Sequence, residues 1–447
     1  MASKPLKIFI YPCDGAGHIN ATVGVAQALV ERGHKIFLLL NSAFEAQYLP
    51  FGFEQILLKK SEKPVEQTDS KQNPFKVHVE MVKQMGMLSN KSPLEKAKLM
   101  SDPNSIKPFF NLLAEFEPQV EEAIKREQPD LIILDNVLIQ PAILKSKIPW
   151  MVIMSGNPLI LHRSKDLPPA TSGYSAYDKD RTKWVEFQTE SLFGQPILNH
   201  QIKINEMFGL NNTTDIYHNG VQYYPESPYL NIYGYPEELD YLDIVTLPDN
   251  VARIDAFCRT TPEPFEIPSE LNYDSSKDKL IYVSLGSMGS IDVDLMKSIV
   301  SILGKTEHKY IVSKGPLHDE YELPSNCWGK AYLPQTNILK HVDLVITHGG
   351  NNTTTETFCN GVPMIVMPLF GDQFDNAQRL DELGLGCRME PYDLNEKQLI
   401  DSINRLLNDN ELKEKLQRAA KRIKESNGKQ LLCERIEKIV YETKAKK

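Results

Sequence analysis

The chain has 447 residues, 41% of them apolar, and a formal net charge of -9 at pH 7. That length and apolar share suit two α/β domains with separate cores, and the acidic balance argues against a general binder of nucleic acid or anionic membranes. Six scattered cysteines without a C-x-x-C pair exclude a disulfide framework or a zinc or redox motif, and suit reduced thiols in the cytoplasm.

In chain order, residues 1–7 lead into the apolar run 8–11 without the long hydrophobic core and cleavage site of a secretory signal. No run reaches the roughly eighteen apolar residues that span a bilayer, and Lys444, Lys446 and Lys447 read as a solvated helix end. Residues 7–11 predict a strand, 12–18 a loop with Asp14, Gly15 and Gly17, 20–32 a helix ended by Gly33, and 34–40 a second strand. This is a right-handed parallel unit. A dinucleotide site is disfavoured: the third glycine is missing, and Asn41 stands where an acidic residue would hold the ribose. His18, on the carboxyl side of the first strand, reads either as a capping residue or as a base with a near-neutral pKa.

Residues 62–102 and 157–222 are the least patterned. Phe75, Val79, Val82 and Met85 recur at helical spacing, and Met81, Met87, Met151, Met154, Phe187, Phe193 and Met207 offer adaptable apolar surface, with core favoured over pocket. The run 129–136 (PDLIILDN) predicts a buried strand that brings Asp135 to the same edge as His18. There Asp135 either caps the next turn or accepts an imidazole N–H. A strand over 251–258 precedes a linker, 259–278, stiffened by Pro262, Pro264 and Pro268. Strands follow at 279–285, 309–313, 343–347 and 364–367, with a tight turn at 286–289, a helix beginning near Asp292, and amphipathic helices over 404–424 and 429–444.

The densest stretch is 332–376. Its strand, 343–347, runs into His348, Gly349 and Gly350, then a helix through Glu356 and Phe358 that Asn352 or Thr353 would cap. Free amides and the positive dipole end make such a turn an anion site. The loop 369–376 leaves a strand's carboxyl end, where open α/β sheets bind ligands. It carries Asp372 and Gln373, an acceptor and a donor-acceptor suited to vicinal hydroxyls. Phosphate site and hydroxyl reader together point to a sugar nucleotide.

This stretch resembles the donor signature of the UDP-glycosyltransferases of glycosyltransferase family 1, which in plant members reads W-x-P-Q, I-L-x-H, H-C-G-W-N-S-T-x-E, G-V-P-M and D-Q. It matches at Pro334, Gln335, Ile338, Leu339, His341, His348, Gly350, Asn352, Thr354, Glu356, residues 361–364, Asp372 and Gln373. Tyr332 replaces the tryptophan that stacks on uracil, Thr353 the serine, and Asn351 a tryptophan whose loss bears on contacts around the sugar's 6-position.

The resemblance implies a GT-B fold of two facing, Rossmann-like doubly wound domains. It divides the chain into an acceptor-binding domain (1–258), the linker (259–278), a UDP-sugar-binding domain (279–425) and a final helix returning to the first domain (426–447). It implies an inverting transferase with His18 as base and Asp135 supporting it. Tyr332 and Gln335 would hold uracil, Glu356 the ribose, and Asp372 and Gln373 the sugar. Ser287, His348, Asn352, Thr353 and the helix N-terminus would meet the diphosphate, with Gly350 also among the donor-binding residues. Gln373 tilts the donor towards UDP-glucose over another UDP-sugar. No cofactor or metal is implied, and the partners are a UDP-sugar and a small lipophilic acceptor such as a flavonoid, phenol or xenobiotic, as in detoxification. Without the signal and membrane anchor usual in animal members, the chain resembles the soluble plant and bacterial natural-product enzymes and, more weakly, a soluble arthropod branch, as in mites. Two alternatives stay open: a UDP-sugar-binding module without catalysis, and a GT-B nucleotide-sugar epimerase, which calls for further acid/base carboxylates.

Overall fold

Short apolar runs bounded by turn residues build two parallel sheets in the computed structural model, which describes residues 4–60, 85–192, 194–210, 216–218 and 224–446. Phe75, Val79, Met81, Val82 and Phe193 lie outside the described residues. The first sheet holds β1 (Lys7–Pro12), β2 (Lys35–Asn41), β3 (Glu54–Leu58), β4 (Leu131–Asp135), β5 (Trp150–Met154), β6 (Asn231–Gly234) and β7 (Val251–Ile254), in the order β3-β2-β1-β4-β5-β6-β7. The second holds β8 (Leu280–Ser284), β9 (Lys309–Ser313), β10 (Cys327–Lys330), β11 (Leu344–Thr347), β12 (Met364–Val366) and β13 (Cys387–Arg388), in the order β10-β9-β8-β11-β12-β13. The order reverses between β1 and β4 and between β8 and β11. Those are the switch points where crevices open at the carboxyl ends of strands.

Helices cover both faces, so the central strands are buried throughout, as in β4, whose five residues are all buried. One apolar cluster joins Phe9 and Leu134 of the first sheet to Ile346 and Val366 of the second. Another fills the opposite face of the first sheet, where Ile8 and Ile133 meet Leu432, Ile436 and Val440 of helix Gly428–Ala445. Glu437 of that helix bonds Arg32 at 2.6 Å and His34 at 2.9 Å. Residues 259–278 run between the sheets with one short helical turn, Ser269–Leu271.

Several local expectations change. The first helix is Ala16–Glu31 and starts four residues early, because Gly15, in extended conformation, is its N-cap, and this places His18 in the first turn. The expected helix over 404–424 is two helices, Glu396–Asn408 and Asn410–Glu425. The break is at Asp409, whose side chain accepts from the Leu412 amide and caps the second helix. The turn 286–289 is a single helical turn entered through Gly286 at φ 70. Met151 and Met154 are fully buried in β5, Phe187 is buried in helix Thr182–Ser191, and Met207 is exposed. Among the described residues no helix is long and apolar enough to cross a membrane.

Candidate functional site

Register in the first sheet dictates the first half of the site. Pro12 of β1 lies opposite Asp135 of β4, and the Cys13 amide bonds the Asp135 carbonyl at 2.7 Å, so the loop after β1 folds over the end of β4. His18 Nδ1 stands 3.1 Å from Asp135 Oδ2 and 2.9 Å from the hydroxyl of Ser155, which follows β5. The other Asp135 oxygen accepts from the Tyr224 hydroxyl. The Asp135 side chain is fully buried, whereas that of His18 is 38% exposed, and its Nε2 has no partner among the described residues. Burial pulls the imidazole pKa down, but the charge and hydrogen bond of Asp135, with Asp372 adding, outweigh it and leave the pKa raised.

The second half forms where β8 and β11, paired with Ser284 opposite Thr347, end together. Ser287 is exposed on the short turn after β8. His348, directly after β11, is flanked by Gly286 and Gly350. A Cβ at either glycine would fall 2.6 Å from the ring. Burial lowers the His348 pKa to about 4, against a hydrogen bond to the Ser284 backbone, so the ring is neutral near pH 7. Gly350 is the N-cap of helix Asn351–Cys359 and no side chain caps that helix, contrary to the expectation for Asn352 or Thr353. Its first amides therefore stay available for an anion.

Asn352 and Thr353 have other partners. The Asn352 amide donates to the Gly17 carbonyl of the first domain at 2.6 Å, and Thr353 shares its hydroxyl with Gln335 at 3.3–3.4 Å. Gln335 also donates to Glu356 at 2.7 Å, and the second Glu356 oxygen pairs with Arg259 of the linker at 2.6 Å. Tyr332 is 60% exposed. Asn351, where the resemblance has tryptophan, donates to the Gly234 carbonyl at the end of β6.

Asp372 and Gln373 open helix Gln373–Glu382, which is held along its length by the first domain. Asp372 accepts from the Asn157 amide at 2.9 Å, and Asn157 donates to Asn376 at 2.9 Å. Asp375 accepts from the amides of Thr171 (2.6 Å) and Gly173 (2.9 Å), and Arg379 donates to the carbonyls of Leu239 and Asp240. Burial raises Asp372 to about 6, against the Asn157 amide and His18. The Gln373 carbonyl oxygen accepts from the Leu369 and Phe370 amides, which shapes the loop and leaves its NH₂ group as the donor end of the side chain. Met85, Met87 and Leu88 of the first domain pack on Met288, Ile291 and Phe370 beside this loop, and Lys96 donates to the Leu369 carbonyl at 2.6 Å.

The two halves thus meet through Asn352 with Gly17, through Asp372 with Asn157, and through the field of Asp372 at His18. Sequence reasoning passed over Ser155, Tyr224, Asn157 and Arg259. Ser155 directly follows the run WMVIM, the same polar-after-strand signal that marked Asp135; Tyr224 and Arg259 carry no local signal. Among the described residues no group of three or more His, Cys, Asp or Glu side chains is arranged to hold a metal ion.

Residues 242–426 match the family model for UDP-glucoronosyl and UDP-glucosyl transferases. The chain is similar to the NDP-glycosyltransferase YjiC of Bacillus subtilis, 24% identical over 94% of each chain. It is also similar to the UDP-glucuronosyltransferase 1A7 of Homo sapiens, 33% identical over 35% of this chain and 30% of that protein. Among solved structures, the glycotransferase of kitacinnamycin aligns with a TM-score of 0.66 at 18% identity over 98% of this chain and 99% of that one. The calicheamicin glycosyltransferase CalG4 aligns with a TM-score of 0.65 at 16% identity, again over 98% and 99%. These likenesses carry the GT-B arrangement of two facing parallel-sheet domains.

Proposed function

We propose that the chain acts as a UDP-glycosyltransferase, the family whose model matches residues 242–426, and that it inverts the anomeric centre of UDP-glucose while moving the sugar to a hydroxyl of a small lipophilic acceptor. His18 Nε2 takes the acceptor's proton, and the oxygen attacks the anomeric carbon from the face opposite UDP. Asp135 stabilises the imidazolium. Positioned base catalysis of this kind contributes ~10²–10⁴-fold. The charge growing on the diphosphate is met by neutral His348, Ser287 and the free amides of helix Asn351–Cys359, without a metal ion. Tyr332 stacks on uracil, Glu356 accepts from the ribose, and Asp372 and the Gln373 NH₂ hold the sugar. Reaction takes place in the cytoplasm on flavonoids, phenols or xenobiotics, consistent with the chain's six free cysteines.

The observation that supports this most directly is the contact of His18 Nδ1 with Asp135, which leaves Nε2 without a partner among the described residues. The test is to incubate the protein with UDP-glucose, UDP-galactose or UDP-glucuronic acid and a panel of phenols and flavonoids, following UDP release and product mass beside His18→Ala. A β-glucoside formed by the wild type and lost in the variant is the expected result.

A second reading, the nucleotide-sugar epimerase, gains from one finding: Asp372, with its pKa raised to about 6, is a second carboxylate acting on His18. Conversion of the UDP-sugar without any acceptor would favour it. UDP-sugar binding with no conversion of any kind would instead favour a binding module.

A further inference from the structure

Asp135 has two oxygens in two different environments. Oδ2 faces His18 Nδ1 at 3.1 Å, and Oδ1 accepts the Tyr224 hydroxyl. The carboxylate is fully buried and the Tyr224 residue is 4% exposed, so neither group exchanges its partner for bulk water. Ser155 brings a hydroxyl to the same Nδ1 at 2.9 Å. Only one proton is available at that nitrogen. When Nδ1 carries it, Asp135 and Ser155 both accept and the Nε2 lone pair is free. When Nε2 carries it, Nδ1 faces the carboxylate lone pair to lone pair, and only the Ser155 hydroxyl can satisfy it. Asp135 therefore favours the tautomer that can act as a base, and the Ser155 hydroxyl can support the one that cannot.

We propose that Tyr224 is a positioning residue of this site: its hydroxyl fixes which oxygen of Asp135 faces His18, and thereby which imidazole nitrogen carries the proton. The inference rests on the reading of His18 as the base. Among the described residues, the groups facing His18 are Asp135 from the end of β4, Ser155 from the end of β5 and Asp372 from the second domain; those facing Asp135 are Tyr224 and the Cys13 thiol, kept neutral by burial.

A donor held on Oδ1 makes a specific demand on Asp135→Asn. With the Tyr224 hydroxyl donating as it does to the carboxylate, the amide turns its carbonyl to Tyr224 and its NH₂ to Nδ1, which forces the proton onto Nε2 and removes the base. Wrong-tautomer variants of this kind lose ~10³-fold or more in rate. Replacing Tyr224 by phenylalanine in the same variant frees the amide to flip, so that its carbonyl accepts from Nδ1–H. Damage at one residue is then relieved by removing a second.

The experiment measures transfer rates and the His18 ring in ¹H–¹⁵N spectra for wild type, Asp135→Asn, Tyr224→Phe and Asp135→Asn/Tyr224→Phe. The double variant is expected to recover about tenfold over Asp135→Asn, with the ring proton on Nδ1 in the wild type, on Nε2 in Asp135→Asn and back on Nδ1 in the double variant. Tyr224→Phe alone leaves more charge for the imidazole. The acid limb of kcat/KM should move up by about half a pH unit and kcat fall about threefold to tenfold. A double variant no faster than Asp135→Asn, with Nε2 still protonated, would overturn the proposal, as would a Tyr224→Phe profile identical to the wild type. The spectra need no substrate. If no protein transfers sugar but the tautomers follow this pattern, the positioning role stands and the transferase reading falls.

Discussion

The Glu356 carboxylate, buried on a helix of the second domain, pairs with the Arg259 guanidinium of the linker at 2.6 Å, with side-chain exposures of 3% and 10%. A carboxylate accepts about four hydrogen bonds, so the pair, with Gln335 on the other oxygen, leaves acceptor capacity for a further donor.

Arg259→Ala strands a buried charge with Gln335 as its remaining partner. Loss of about 3 kcal/mol is expected in urea denaturation, together with weaker UDP binding by calorimetry. Glu356→Gln in the same background should restore most of the stability but not the affinity. A stability change within error for Arg259→Ala would show that the pair is not structural.

His348 sits between two glycines, and the two substitutions separate sterics from strain. Gly350 has φ -58, a conformation any residue adopts, so Gly350→Ala only pushes a Cβ to 2.6 Å from the ring. UDP affinity should fall while the melting temperature barely moves. Gly286 has φ 70, and Gly286→Ala adds about 1 kcal/mol of backbone strain to the same clash. If Gly350→Ala binds UDP as the wild type does, the placement of His348 against the diphosphate is wrong.

The pH profile follows from His18. A base must be unprotonated, and Asp135 favours the protonated form, so kcat/KM should rise with pH through a midpoint above the ordinary imidazole value of about 6.5. In Asp135→Ala the lowering by burial remains without its opponent, and the midpoint should drop. A midpoint that rises in that variant would contradict the electrostatic account.

Closure should also titrate. Burial raises Asp372 to about 6 and Asp375 to about 8, against an ordinary value of 3.8. Both are engaged by first-domain amides that separation of the domains would release. A carboxyl with a raised pKa binds its proton more tightly when closed. The closed form therefore gains as pH falls below these values and loses as pH climbs from about 4 towards 8. Small-angle scattering of the ligand-free protein should show the radius of gyration growing over that window, and Asp375→Asn should flatten its upper part.

Much of this was legible in the sequence. Long apolar runs ending in a polar residue, such as 129–136 and 343–347, declare both the strand and the edge on which Asp135 and His348 stand. Short strands did not declare themselves: β13 is two residues, and β6 lies in a stretch of tyrosines and prolines whose strand character comes from its neighbours. Partners were the other gap. Tyr224 is 89 positions from Asp135, and Arg259 is 97 from Glu356. Such pairs are created by sheet topology and domain docking, and no local pattern encodes them.

Helix Gln373–Glu382 opens with the two side chains assigned to the donor sugar, yet its other faces are fastened to residues 157–173 and 239–240 of the first domain. Under the proposed function, the helix that would read the donor sugar is therefore not inherited independently of the first domain's loops. Recombination that joins a foreign second half at the linker imports a helix cut to fit another set of loops. A working hybrid has to exchange those loops along with the helix they grip.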